Sequence, residues 1–195
     1  MQVQTEKRYY TPEEYLALEE TSEYKSEYHN GEIIPITGCT TNHNIIAGNF
    51  YTRFPWRIKQ QSYKVFFADV RLWIPLKNRY LYPDVMVIQG KPIYAGTGKT
   101  TVTNPLIIVE VLSESTSNYD QGEKFDFYRS IPEFREYILI EQSRYYLAQY
   151  TKKSKNQWLL TEYHGENNIL KLATVEVEIP FDEIYQEVDF SETEE

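Results

Sequence analysis

Two apolar runs, each interrupted by a single acid, constrain this chain more than any other feature. Leu106 to Leu112 reads L-I-I-V-E-V-L, and Tyr80 to Ile88 reads Y-L-Y-P-D-V-M-V-I. Near-continuous apolarity over about seven residues implies a strand covered on both faces rather than one washed by solvent. Such strands need layers above and below, which points to an α/β architecture. A charge inside such a strand is costly unless it is paired or neutralised. Asp84 and Glu110 are therefore carboxylates in places where a carboxylate needs a reason. On neighbouring strands they would repel unless a cation lay between them, and an oxygen-rich site of that kind suits magnesium or manganese. The plainer alternative for Glu110 is an edge-strand acid facing solvent.

The rest of the chain supplies the layers. Thr11-Pro12-Glu13-Glu14 combines a capping hydroxyl, a proline and an acid, and predicts a helix starting there. Asn30-Gly31 predicts a tight hairpin turn within Ser26 to Ile36, with Glu27 on its first strand. Ile46, Phe50 and Phe54 recur at helical spacing and predict a helix from Asn42 that Pro55 stops. Val65 to Ile74 and Tyr80 to Ile88 are each expected as one strand, Gly90 to Thr103 as a loop, Ser113 to Asn118 as a turn and Asp120 to Arg129 as a short helix. Glu136 to Glu141 and Tyr145 to Tyr150 read as a hairpin through Gln142-Ser143-Arg144. Trp158 to Tyr163 and Ile169 to Leu172 read as outer strands, and Phe181 to Tyr185 as a last helix after Pro180. The expectation is one α/β (α+β mixed) domain, a mixed β-sheet flanked by helices. Its core covers about 11–150, with extra C-terminal strands and a tail over 151–195.

Charge narrows the function classes. A net charge of −9 argues against broad binding to a nucleic-acid backbone, because neutralising phosphates takes clustered Lys and Arg. Part of that acidity lies in the tail, at Asp189, Glu192, Glu194 and Glu195, so a nucleic-acid enzyme is not excluded. Local basic groups remain at Arg53, Arg57 and Lys59, at Lys77 and Arg79, and at Lys152, Lys153 and Lys155; each reads as a phosphate contact or as solvated surface. A single cysteine, Cys39, allows no internal disulfide and no zinc cluster. No apolar run approaches the roughly 20 residues that span a bilayer, and the first ten residues are polar. A soluble cytoplasmic protein with no membrane partner is expected. Gly96 to Thr100 looks like the end of a phosphate loop, but the required upstream glycine is Ile93.

The order of P-D, a loop, and an apolar strand carrying E-x-x resembles the PD-(D/E)XK nuclease superfamily. The chain as a whole resembles the Uma-two family of bacterial restriction-endonuclease-like proteins. The matching segments are S-E-Y-H-N-G-E-I at 26–33, N-H-N at 42–44, Y-P-D-V-M-V-I at 82–88 and N-P-L-I-I-V-E-V-L-S-E-S-T at 104–116. They continue with Y-D-Q-G-E-K-F-D-F-Y at 119–128 and E-Y-I-L-I at 136–140.

This resemblance runs from about Thr11 to Tyr150. It implies a restriction endonuclease-like core and a divalent-metal-dependent endonuclease that hydrolyses phosphodiester bonds in DNA. Mg2+ (or Mn2+) would be held by Asp84, Glu110 and the backbone carbonyl of Val111. The lysine of E-x-K falls at position 112, which is Leu112 here. Lys124, on the next helix, is the substitute, or else only a surface ion pair with Asp120 one turn away. Glu27 matches an acid that joins such sites, or is an exposed strand acid. His43 matches a helix histidine that would contact phosphate or move a proton, and Tyr128 would fix the lysine or a phosphate oxygen. DNA is the implied substrate, and a homodimer would let two copies cut two strands. Two rivals stay open: a catalytically inactive nuclease-fold module that binds nucleic acid or protein, and a small phosphoester hydrolase.

Overall fold

Thr11 caps the first helix, α1 (Pro12–Glu19), with both halves of a capping box: its hydroxyl accepts from the Glu14 amide, and Glu14 reaches back to the Thr11 amide. The computed structural model describes residues 8–113 and 117–191, so part of the turn expected at 113–118 and the acids of the tail at 192–195 lie outside it. The hairpin β1 (Ser26–His29) and β2 (Glu32–Pro35) forms around Asn30 and Gly31, with φ of 50° and 105°. Both angles are positive, as a turn matching the strands' twist requires. A Cβ on Gly31 would also stand 2.8 Å from the Tyr9 ring, so glycine is needed there twice over. The second helix, α2 (Thr41–Arg53), starts one residue before the expected Asn42, because Thr40 caps it by accepting from the His43 amide.

The central strands depart from the expectation. Val65 to Ile74 is not one strand: β3 (Arg57–Ile58) and β4 (Gln61–Phe67) are followed by a break, and then β5 (Arg71–Ile74). Ala68, at the break, has φ of 56°, a left-handed conformation that no regular strand tolerates. Tyr80 to Ile88 divides likewise into β6 (Arg79–Leu81) and β7 (Val85–Gln89), separated by Tyr82-Pro83-Asp84. Proline has no N–H for a ladder, so the strand parts there. Each break carries the chain from one sheet to another. The expected loop at 90–103 contains a short strand, β8 (Thr101–Val102). A five-stranded sheet runs β2-β1-β6-β5-β8.

The other large sheet adds β9 (Ile107–Leu112), β10 (Glu136–Glu141), β11 (Tyr146–Ser154) and β12 (Gln157–His164), in the order β12-β11-β10-β9-β7-β4-β3. β9 and β10 are parallel, and the helical segment 117–128, called α3, makes the crossover between them. α3 is α-helical at Ser117–Tyr119, widens to a π-helix over Asp120–Lys124 and tightens again at Phe125–Tyr128. All six residues of β9 are buried. Ile107, Val109 and Val111 pack with Ile46 and Phe50 of α2, whereas Ile108 and Leu112 pack with Phe127 and Tyr128 of α3. Because side chains alternate along a strand, Glu110 lies on the α3 face. The chain ends with a small hairpin, β13 (Ile169–Lys171) and β14 (Glu178–Pro180), and a short helix α4 (Phe181–Ile184) that covers the α2 face. The architecture is the mixed α/β arrangement expected, with two breaks and a separate C-terminal hairpin added.

Candidate active site

The two acids meet where β7 leaves β9. Val85 pairs with Val109 in that antiparallel ladder, which puts Asp84 beside Glu110 at the end of the pairing. The Asp84 amide donates to Glu110 Oε2 at 3.2 Å, and the Val111 amide donates to Asp84 Oδ2 at 2.8 Å. Asp84 thus grips the backbone of β9 one residue past Glu110, and Val111, expected as a carbonyl ligand, has its peptide group against the site. The break at Pro83 is what frees Asp84 to do this instead of continuing a strand.

Helices deliver the remaining groups from opposite sides. His43, in the first turn of α2, places Nε2 3.1 Å from Asp84 Oδ2. From α3, Lys124 Nζ donates to Glu110 Oε1 at 3.1 Å and stands 2.9 Å from Asp120 Oδ1. The Tyr128 hydroxyl donates to the same Glu110 Oε1 at 2.6 Å. Asp120 and Lys124 sit in the π-helical stretch, whose widened turn bulges this part of the helix; such bulges recur at functional sites. Lys124 is therefore not a surface ion pair: its side chain is 11% exposed and Glu110's is 3%. Tyr128, expected to touch lysine or phosphate, is wholly buried with its hydroxyl on Glu110. Leu112, at the lysine position of E-x-K, is buried in the apolar cluster of the α3 face.

Glu27 joins from the five-stranded sheet. Its Oε1 accepts from the Tyr82 amide at 3.3 Å, and its Oε2 lies 2.8 Å from His29 Nε2. Tyr119 stacks on the His29 ring, with its hydroxyl 3.3 Å from the same nitrogen. Glu27 is 8% exposed, so it is not the exposed strand acid of the alternative reading. His29 had little support from sequence, yet its place two residues beyond Glu27 on one strand puts both on one face. Asp120 was visible only as a possible helix pair for Lys124.

Electrostatics tie the cluster together. Burial pushes the Glu110 carboxyl up to about 8; Lys124 opposes this, while Asp84 and Asp120 reinforce it. Burial alone would lower the Lys124 ammonium, but Glu110, Asp120 and Glu27 hold it well above the ordinary lysine value. Burial acts to raise Glu27 as well, but the His29 hydrogen bond and the charges of Lys124 and His29 bring it below the ordinary value. A carboxyl that resists ionisation beside two other acids is a place where a further cation would be stabilising. Among the described residues no three His, Cys, Asp or Glu side chains form a ready-made metal ligand set. The donors that do converge are Asp84 and Glu110 Oε2. Two carboxylates are a usual protein share for magnesium, which keeps waters and takes substrate phosphate oxygens for the rest.

A family model described as "Putative restriction endonuclease" matches residues 12–182. The chain belongs to the Uma2 family. Two relatives from Synechocystis sp. (strain ATCC 27184 / PCC 6803 / Kazusa) share most of its length. "Uncharacterized protein sll1609" is 44% identical over 167 residues, covering 86% of this chain and 94% of its own. "Uncharacterized protein slr1290" is 31% identical over 180 residues, covering 92% and 93%. A crystal structure from Anabaena variabilis ATCC 29413, described as "a putative nuclease belonging to DUF820", superposes with a TM-score of 0.70 at 16% identity. It covers 90% of this chain and 97% of that one. The Uma2 chain therefore has a restriction-endonuclease-like nuclease fold. Among the described residues no helix is long and apolar enough to cross a membrane.

Proposed function

We propose that this Uma2 protein is a divalent-metal-dependent endonuclease that hydrolyses phosphodiester bonds in DNA. The observation that carries the reading is the contact between Asp84 and Glu110 at the strand break, with a buried lysine fixed on Glu110. Asp84, Glu110 Oε2 and the Val111 carbonyl would hold Mg2+ or Mn2+. Such an ion, when bound, lowers the pKa of a ligated water and neutralises charge on the scissile phosphate. The Val111 amide and His43 keep the Asp84 carboxylate turned toward Glu110. Tyr128 and Lys124 hold Glu110 Oε1, leaving Oε2 toward Asp84. Lys124 stays an ammonium between two acids, so it serves as a charge that orients water or steadies the transition state rather than as a base. It takes the role of the lysine absent at Leu112, arriving from the helix on Glu110's own face.

One observation favours a nuclease-fold binding module without turnover. Glu110 already has three donors, one of them the Lys124 ammonium, and is held without a metal. Supercoiled plasmid incubated with purified protein and Mg2+ or Mn2+ separates the two. Nicking that disappears in Asp84→Asn and in Glu110→Gln, with both variants folded, is the expected result. Nicking that persists in both rejects the assignment, and a folded wild type that never nicks leaves the binding module.

A further inference from the structure

One basic side chain beside the site is left without the partner its neighbours have. Lys77 is paired with Asp126, Arg129 with Asp126, and Lys124 with Glu110 and Asp120. Arg79 has no carboxylate partner among the described residues, and its buried Nε makes no hydrogen bond. A guanidinium with a buried, unsatisfied N–H carries a desolvation cost, and with no acid beside it among the described residues its charge is left for an anion to offset at the other nitrogens of the fork.

The register of the sheet shows where it faces. Arg79 on β6 pairs directly with His29 on β1, and directly opposed residues share a face. Glu27 lies two residues before His29 on β1, so Glu27, His29 and Arg79 line one side of the five-stranded sheet. That side looks toward α3: the Arg79 guanidinium lies 4.7 Å over the Phe127 ring, and His29 stacks on Tyr119. Arg79's charge reaches the Tyr119 phenol, acting to lower its pKa against the burial that raises it. The ring beneath the guanidinium fixes the plane of the fork, and Arg is weakly hydrated, which together suit it to a tetrahedral oxyanion.

We propose that Arg79, seated on Phe127 beside His29 and Tyr119, is the phosphate-binding residue of this site, taking a backbone phosphate of the nucleic acid that flanks the scissile bond. The inference rests on the nuclease reading. It explains how a chain with net charge −9 engages a polyanion: through one local unpaired guanidinium rather than a broad basic face.

The test is binding of a short fluorescein-labelled DNA duplex by anisotropy, with calcium present, across a salt series. It runs beside plasmid cleavage with magnesium. Arg79→Met keeps the stem over Phe127 and removes the charge. It is expected to weaken binding about tenfold and to reduce the salt slope by about one phosphate, with unchanged manganese affinity and melting temperature. Arg79→Lys is expected to recover only part of the loss. Should the Met variant fail to fold, Arg79→Gln carries the same readouts. If wild type cleaves and the uncharged variant binds with wild-type affinity and slope, the Arg79 assignment falls while the nuclease reading stands. If wild type binds in an Arg79-dependent way but never cleaves, the nuclease reading falls and Arg79 stands. A wild type that neither binds nor cleaves overturns both.

Discussion

Glu110 and Glu136 are both buried glutamates in adjacent parallel strands of one sheet, and they are solved in opposite ways. Glu136 points to the α2 face, where the amides of Ala173 and Thr174 donate to it at 3.0 and 3.1 Å and the Thr174 hydroxyl at 2.6 Å. The Gln149 carboxamide donates as well. Four neutral donors surround it, so this carboxylate is a clamp on the chain just after β13. Glu110 points to the α3 face and shares its surroundings with Asp84 and Asp120, with one lysine to offset them. The Glu136 carboxylate has neutral dipoles aimed at it, whereas the Glu110 carboxyl, the metal ligand of the proposed function, shares Lys124 with two further acids. Burial alone does not separate the two; the company does.

The contrast is broken or sharpened by variants that treat the two residues alike. Glu110→Gln is expected to cut nicking by about three orders of magnitude, roughly 4 kcal/mol of barrier, with melting at neutral pH within a few degrees of wild type. Glu136→Leu should do the reverse. Its buried donors lose their acceptor at about 1–3 kcal/mol each, partly offset by relaxation, so a loss of about 4 kcal/mol and roughly 10 °C is expected by calorimetry. The remaining folded molecules should cleave at the wild-type rate. Equal activity losses per folded molecule would erase the distinction.

A pH series probes the same difference. Glu110 has its pKa raised to about 8 in the folded chain from an ordinary 4.5, so the folded state keeps a proton that the unfolded state releases. The stability from that carboxyl is complete below about 4.5 and is lost as pH rises through 8. Metal-free protein should therefore melt progressively lower between pH 6 and 9 in differential scanning fluorimetry, as flagged by that pKa of about 8, and Glu110→Gln should flatten the decline. A bound metal ion, which needs the ionised carboxylate, should protect more as pH rises. A decline of equal slope in Glu110→Gln would assign it elsewhere. The smallest expected effect is that of Tyr128→Phe, which removes the 2.6 Å donor from Glu110 Oε1. It should cost about 1 kcal/mol of stability and about tenfold in nicking.

Much of this was legible in the sequence, because local rules agreed with the fold. The capping box at Thr11, the Asn30-Gly31 turn and the doubly buried β9 with Glu110 stand where their patterns put them, whereas Asp84, expected inside a strand, lies in the break before β7, still beside Glu110. The strand break at Ala68 was not legible, since apolar residues flank it on both sides and only a second sheet makes the turn necessary, whereas the break at Pro83 had its signal in the proline itself, overridden by the apolar run around it. Lys124's reach was legible only as spacing. Its burial depends on the π-helical widening, which no residue pattern in D-Q-G-E-K announces. Glu136 reads as the polar start of a strand, because its partners come from 37 and 38 residues downstream. Arg79 read, with Lys77, as a phosphate contact or as solvated surface, and only the pairing of β1 with β6 sets it opposite His29.

The central claim is that Asp84 and Glu110 form one metal-dependent site, and anomalous diffraction from manganese-soaked crystals tests it most directly. A single peak touching both carboxylates is expected, with Lys124 still on Glu110, and it should be lost in Asp84→Asn. A crystal saturated with manganese that shows no peak at the pair, while both side chains stay as described, would contradict it.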